Sequence, residues 1–172
     1  MRDTGDAFIS KARSLLKTDY LPKIERCLEK LSDEDMWWRA NEGSNSIGNL
    51  LLHLSGNARQ WIVCGVGGTP DFRERQQEFD AREGLSRAEL LSTLRKTLDE
   101  VDHVLSKATS ERLLDRLRIQ ECDVTALEAI FHVVEHFSMH VGQVIVITKL
   151  LTHGDLRFYD FSTGIPVPTW NG

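Results

Sequence analysis

HVVEHFSMHVGQ, residues 132–143, decides how this chain folds. Three histidines recur at every fourth place in a segment that is otherwise strongly apolar, with TALEAIF before it and VIVITKLL after it. Apolar residues spaced by three and four, with no Pro and no internal Gly pair, predict one long helix. Thr125 followed by Glu128 supplies a capping box at its start, and Gly154 a stop after its end, so the helix should run from Ala126 to about Leu151. A helix this apolar needs several neighbours to bury it.

Those neighbours can be read outward from it. A first helix is expected from about Asp6 to Leu31, with a kink or restart at Pro22. A second should start at Asn45 or Ser46, both good N-caps, and run through IGNLLLHLSGNARQWIVCG to the glycines before Pro70. A third opens with the capping box Ser86 and Glu89 and carries the stripe Leu90, Leu91, Leu94, Leu98, Val101 and Leu105, to about Lys107. Ser32 with Asp35 suggests a capped single turn. The charged segment Asp71–Gly84 reads as a solvated surface connection, and Leu117–Cys122 could hold a short extended piece. With no convincing strand pattern, the expectation is an all-α four-helix bundle. It should form a single domain over 1–172, with a core of about 6–153 and an extended tail, 154–172, running over the surface.

Composition narrows the function classes. A hydrophobic share of 41% with 27% charged residues excludes a disordered chain. A net charge of -5 with acids and bases interleaved offers no basic stripe for nucleic acid. MRDTGDAFIS has no apolar signal-peptide core, and no uninterrupted apolar run approaches the ~18 residues of a bilayer span. Cys27, Cys64 and Cys122 are odd in number and far apart, which favours a reducing compartment over a disulfide framework. A cytoplasmic protein without membrane or nucleic-acid partners is expected.

The chemistry then rests on the histidines. Residues four apart on a helix point nearly the same way, so His136 and His140 can reach one ion, whereas His132 has drifted by about 80° from His140. His53 sits on the stripe of Leu50, Leu54, Asn57 and Trp61, the core face of the second helix. An imidazole buried there is costly unless something satisfies it. One solution is a metal shared with His136 and His140, three neutral histidines leaving an open fourth position as in catalytic zinc sites. Taken singly, a core-face histidine is more often a hydrogen-bonded core residue, and an isolated HxxxH pair is a weak signal. His132 is better read as a supporting residue than as a ligand. No HExxH for a zinc protease and no paired Glu-x-x-His for a di-iron bundle is present.

SIGNLLLHLSGNARQW and EHFSMHVGQ, with LSDEDMWWR and TALEAIFHVVEH, resemble the DinB-like (YfiT-like) family of metal-dependent enzymes over roughly Leu31–Leu151. The resemblance implies up-down-down-up helix order and one divalent metal, zinc or nickel, on His53, His136 and His140. It also implies homodimers and thiol-dependent transferases or isomerases acting on small molecules with bacillithiol, mycothiol or glutathione. His132, Gln143 and Asn57 are then candidates for orienting the ligands or the substrate. If water is activated in place of a thiol, the activity is a hydrolase. Two other readings stay open: a non-catalytic protein with a structural or sensory metal, and a metal-free, pH-sensitive histidine cluster.

Overall fold

The computed structural model describes residues 3–170; the outermost residues of the expected 1–172 domain and of its tail lie outside the described residues. α1 (Thr4–Ser14), capped by Asp3, passes through a π-helical stretch, Leu15–Tyr20, into α2 (Leu21–Leu28). The restart expected at Pro22 is therefore a wider helical turn within one continuous rod. Proline has no N–H for the carbonyl four residues earlier. That carbonyl, on Thr18, accepts instead from the Trp170 indole at 2.9 Å. A 3₁₀ turn, Asp35–Trp37, follows, held by Ser32 Oγ donating to Asp35 at 2.8 Å.

α3 (Ile47–Ala58) starts at Ser46, whose hydroxyl accepts from the Asn49 N–H, and continues as a π-helix over Arg59–Val66. The Trp37 ring lies so close to Gly48 that a Cβ there would come within 2.8 Å of it. α4 (Arg75–Asp80) lies within the segment expected to be a plain surface connection. α5 (Arg87–Lys107) begins with the Ser86–Glu89 capping box. β1 (Arg116–Ile119) and β2 (Cys122–Thr125) form an antiparallel hairpin, the first departure from an all-α expectation. Its turn residues, Gln120 and Glu121, both have positive φ (49° and 64°). Such turns usually carry Asn or Gly, so the usual sequence signal was missing. α6 (Ala126–Thr152) opens with the Thr125–Glu128 box and ends at His153, in the left-handed conformation at φ 51°. In the tail, β3 (Tyr159–Asp160) pairs with β4 (Val167–Pro168), and Leu156 is buried.

The ion pairs and contacts between helices give their directions. Arg13 meets Asp102, Lys17 meets Asp99, and Glu25 meets Arg95, so α1–α2 runs antiparallel to α5. Arg59 pairs with Glu100, and Gly67 sits against Val104, so α3 and its continuation run parallel to α5. His53 meets His136 and Asn57 meets His132, so α6 is antiparallel to α3. The order is up-down-down-up, and the parallel α3–α5 pair is what requires the long crossover through α4. Leu16, Ile24, Leu51, Leu54, Leu94, Leu98, Val133 and Phe137 fill the core.

Among the described residues, α6 alone is long and apolar enough, at mean hydropathy 1.3, to cross a membrane. Counting uninterrupted apolar residues did not reveal this, because Glu and Lys interrupt the run. In the bundle its buried side, including Val133, Phe137, Val141 and Val144, packs on the other helices.

Candidate metal centre

α3 and α6 cross antiparallel at mid-length, and His53, His136 and His140 meet at that crossing. Their ligand-capable nitrogens all lie within 4.8 Å of one another. Nε2 of His136 is 2.9 Å from Nε2 of His53 and 3.1 Å from Nε2 of His140. The outward nitrogens explain the orientation of two rings. Nδ1 of His53 lies 2.9 Å from Glu78 Oε2, and Nδ1 of His140 lies 2.8 Å from Gln143 Oε1. Both oxygens can only accept, so both Nδ1 atoms carry the proton and both Nε2 lone pairs face His136. A ring nitrogen has one proton or one lone pair, so His136 cannot make a full hydrogen bond to each neighbour.

A shared cation resolves that conflict. Imidazole nitrogens about 2.0–2.1 Å from one ion stand about 3–3.4 Å apart, close to the two spacings here. The residues present therefore fit a metal. Burial, followed by the nearby His140, His53, His132 and Arg73, holds the His136 imidazole down to about 3. Burial also lowers His140, in opposition to its bond with Gln143. Neutral rings are the form that binds metal. Among the described residues His136 Nδ1 is buried without a partner, and none of them fixes that ring as Glu78 and Gln143 fix the other two.

Glu78 comes from α4, which corrects the reading of residues 71–84 as a solvated connection. Arg73 Nε and Nη2 donate to Glu78 Oε1 and Oε2 at 2.7 and 2.8 Å, and Arg73 Nη1 donates to Gln60 at 2.8 Å. Arg73 Nη2 also lies 3.1 Å from His53 Nδ1, a contact between two donors once that nitrogen is protonated. Burial alone would raise the Glu78 carboxyl, but hydrogen bonds from Arg73 and His53 outweigh it and keep it ionised. Phe79 covers His53, with ring centroids 4.7 Å apart. The segment is tied down by Asn49 Nδ2, which donates to the carbonyls of Glu78 at 2.7 Å and Ala81 at 2.9 Å. Gly56 faces this pair, and a Cβ there would collide with Glu78 Oε1 and Arg73 Nε. Periodicity could not find Glu78, since a charged run with no apolar stripe looks the same whether its charges are solvated or paired.

The remaining expected residues sit around the triad. His132 stands off from it, its ring 5.4 Å from that of His136, and packs against Trp61 with ring centroids 4.2 Å apart and the planes tilted by 40°. Its Nε2 is 3.1 Å from Asn57 Nδ2. Asn57 and His132 thus pair with each other, one turn from the triad, while Gln143 touches a triad ring directly. Cys27 is fully buried and burial pushes its thiol up to about 11, Cys64 is also buried, and Cys122 is exposed in the hairpin. A groove of about 700 Å³ runs beside Gln143, lined by Trp38, Leu50, Met139, Val146 and Leu150 and by no charged residue.

The family described as "Protein of unknown function (DUF1572)" matches residues 3–164. The chain belongs to that family. No curated protein matches this DUF1572 chain. Solved structures show the fold. A conserved protein from Enterococcus faecalis has a TM-score of 0.71 at 14% identity, covering 84% of this chain and 97% of that one. The DinB-like protein YjoA of Bacillus subtilis has a TM-score of 0.66 at 19% identity, covering 87% and 98%. A DinB-like protein from Bacillus cereus has a TM-score of 0.62 at 18% identity, covering 78% and 87%. The DUF1572 chain thus has the DinB-like fold, as the helix motifs suggested.

Proposed function

We propose that His53, His136 and His140 hold one divalent metal ion, zinc or nickel, and that the protein is a metal-dependent enzyme acting on a small molecule. The observation that carries this reading is the convergence of the Nε2 lone pairs, set by Glu78 and Gln143 on the far side of two rings. A bound ion of this kind lowers the pKa of a coordinated water or thiol and so supplies a nucleophile near neutral pH. His53 and His140 keep their protons on Nδ1, at Glu78 and Gln143, and present the opposite nitrogen unprotonated. Arg73 neutralises Glu78, so the three-imidazole face carries no net charge of its own. The uncharged groove beside Gln143 offers space for the apolar body of a substrate. Partial exposure of His136 leaves the cluster open on one side, which favours a catalytic over a purely structural ion.

A low-molecular-weight thiol is the preferred nucleophile in this reading, because two of the chain's cysteines are buried and the third sits in the hairpin. Elemental analysis of the purified protein beside a His136→Ala/His140→Ala variant tests the metal. About one equivalent in the parent and none in the variant is the expected result. A parent that stays metal-free after incubation with zinc and nickel overturns the reading. Assays on electrophilic substrates, with and without added bacillithiol, mycothiol or glutathione, then separate transferase from hydrolase.

A further inference from the structure

A second cavity lies at the other end of the bundle, where the chain leaving α3, the end of α5 and the start of α6 come together. It encloses about 330 Å³, at the small end of the range for ligand sites. From Ile130, on its wall, to His136, the nearer triad residue on α6, is about 9 Å along the helix. Val66, Val104, Leu113, Leu117 and Ile130 make an apolar lining. Leu113 and Ile130 are buried members of the main core, so the cavity reaches into the bundle. Close-packed interiors leave few voids of this size. Here the wall positions Ala108 and Ala126 are small, and larger apolar residues at either would close the space.

The mouth differs in chemistry from the walls. His103, Lys107 and Arg112 line it, with Thr109 and Asp115. Asp115 is occupied by Arg112 at 3.0 Å, so that pair is neutral. Lys107, one helical turn from His103, makes no ion pair and no side-chain hydrogen bond among the described residues. An unpaired cation thus stands over an apolar cavity in a chain whose net charge is -5. We propose that this cavity is a binding site for a small amphiphilic carboxylate, its apolar body against Val104, Leu113 and Ile130 and its head at Lys107. The site does not depend on the metal reading and shares no residue with the triad.

Titration of octanoate into ¹⁵N-labelled protein, with octanol and octylamine as neutral and cationic isosteres, tests it. Octanoate should give saturable amide shifts clustered at residues 66–69, 103–109 and 126–130, and bind more tightly than either isostere. Lys107→Glu should weaken octanoate by about tenfold, the worth of one charge-assisted hydrogen bond. Ala108→Trp should abolish binding by filling the cavity. Should that variant fail to fold, the exposed Lys107→Glu carries the test alone. His136→Ala/His140→Ala should bind octanoate as the parent does. Octanol binding as tightly as octanoate, shifts centred on residues 136–143, loss of binding in the histidine variant, or no saturation at millimolar ligand would each overturn the proposal.

Discussion

Glu78 holds the outer nitrogen of His53, and removing its charge probes whether that hold matters for metal. Glu78→Gln keeps the shape but weakens the acceptor and strands Arg73, so metal affinity should fall roughly 10- to 100-fold in competition with a chelator. An unchanged affinity would leave Glu78 with a purely structural part. Gly56→Ala should act in the same direction without touching a charge, since its new methyl group displaces Glu78 and Arg73. His136 makes a separate prediction about acid. Its imidazole takes up a proton near 6.5 in the unfolded chain but at about 3 in the fold. The unfolded state therefore binds more protons in that window, and stability is complete above about 6.5 and falls as pH drops, by up to about 1.4 kcal/mol per pH unit. Thermal melts of metal-free protein from about pH 7.5 to about pH 5 should show this loss, and His136→Gln should reduce it, leaving the part due to His140 and His132, which burial also lowers. A parent as stable at the acid end as at neutral pH would contradict the depressed value.

At the scale of elements, α4 behaves as a strap laid over the α3–α6 crossing. Its main-chain anchor is the Asn49 side chain, bonded to the carbonyls of Glu78 and Ala81, with Arg39 donating to Ala81 as well at 2.8 Å. Asn49→Ala should speed amide exchange across residues 71–83 and weaken metal binding, while leaving exchange in α5 unchanged. A uniform loss of protection would instead mean that Asn49 acts through the bundle as a whole. Thr125→Ala, at the cap of α6, should cost about 1 kcal/mol of stability without altering metal stoichiometry. The contrast between these elements marks what the sequence discloses. Ser46, Ser86 and Thr125 were legible as helix starts because a cap is a local bargain between a hydroxyl and the next turn. His136 and His140 were legible because a spacing of four puts them on one helix face, and His53 because it falls on the apolar stripe of its own helix. The strap was not, because Arg73 and Glu78 are buried by pairing with each other and with a histidine 25 residues back along the chain. An extended piece was legible at Leu117–Cys122, but its pairing as a β1–β2 hairpin was not, the turn being made by Gln120 and Glu121 and not by glycine.

On the scale of the whole molecule, α6 shows solvent four large apolar side chains, Phe131, Met139, Val146 and Leu150, each more than half exposed, the last three along one groove. Contiguous apolar surface on a globular protein marks a binding face. The homodimer expected from the sequence would use it, and light scattering should give twice the chain mass, with Leu150→Glu returning it to one. A monomeric parent would leave the groove that Met139, Val146 and Leu150 line open to the small molecule. The up-down-down-up order also has a consequence for biosynthesis. His53 and its partner Glu78 leave the ribosome long before His136, which is 83 residues beyond His53. His53 and the strap that holds it are thus complete in sequence before α6 brings the other two imidazoles. An ion captured at that stage would meet a single imidazole nitrogen, since Glu78 lies on the other side of that ring and pairs with Arg73. Only when α6 docks does the three-nitrogen set exist, so an ion held by His53, His136 and His140 would be selected after α6 has packed against α3, and would fasten those two helices together.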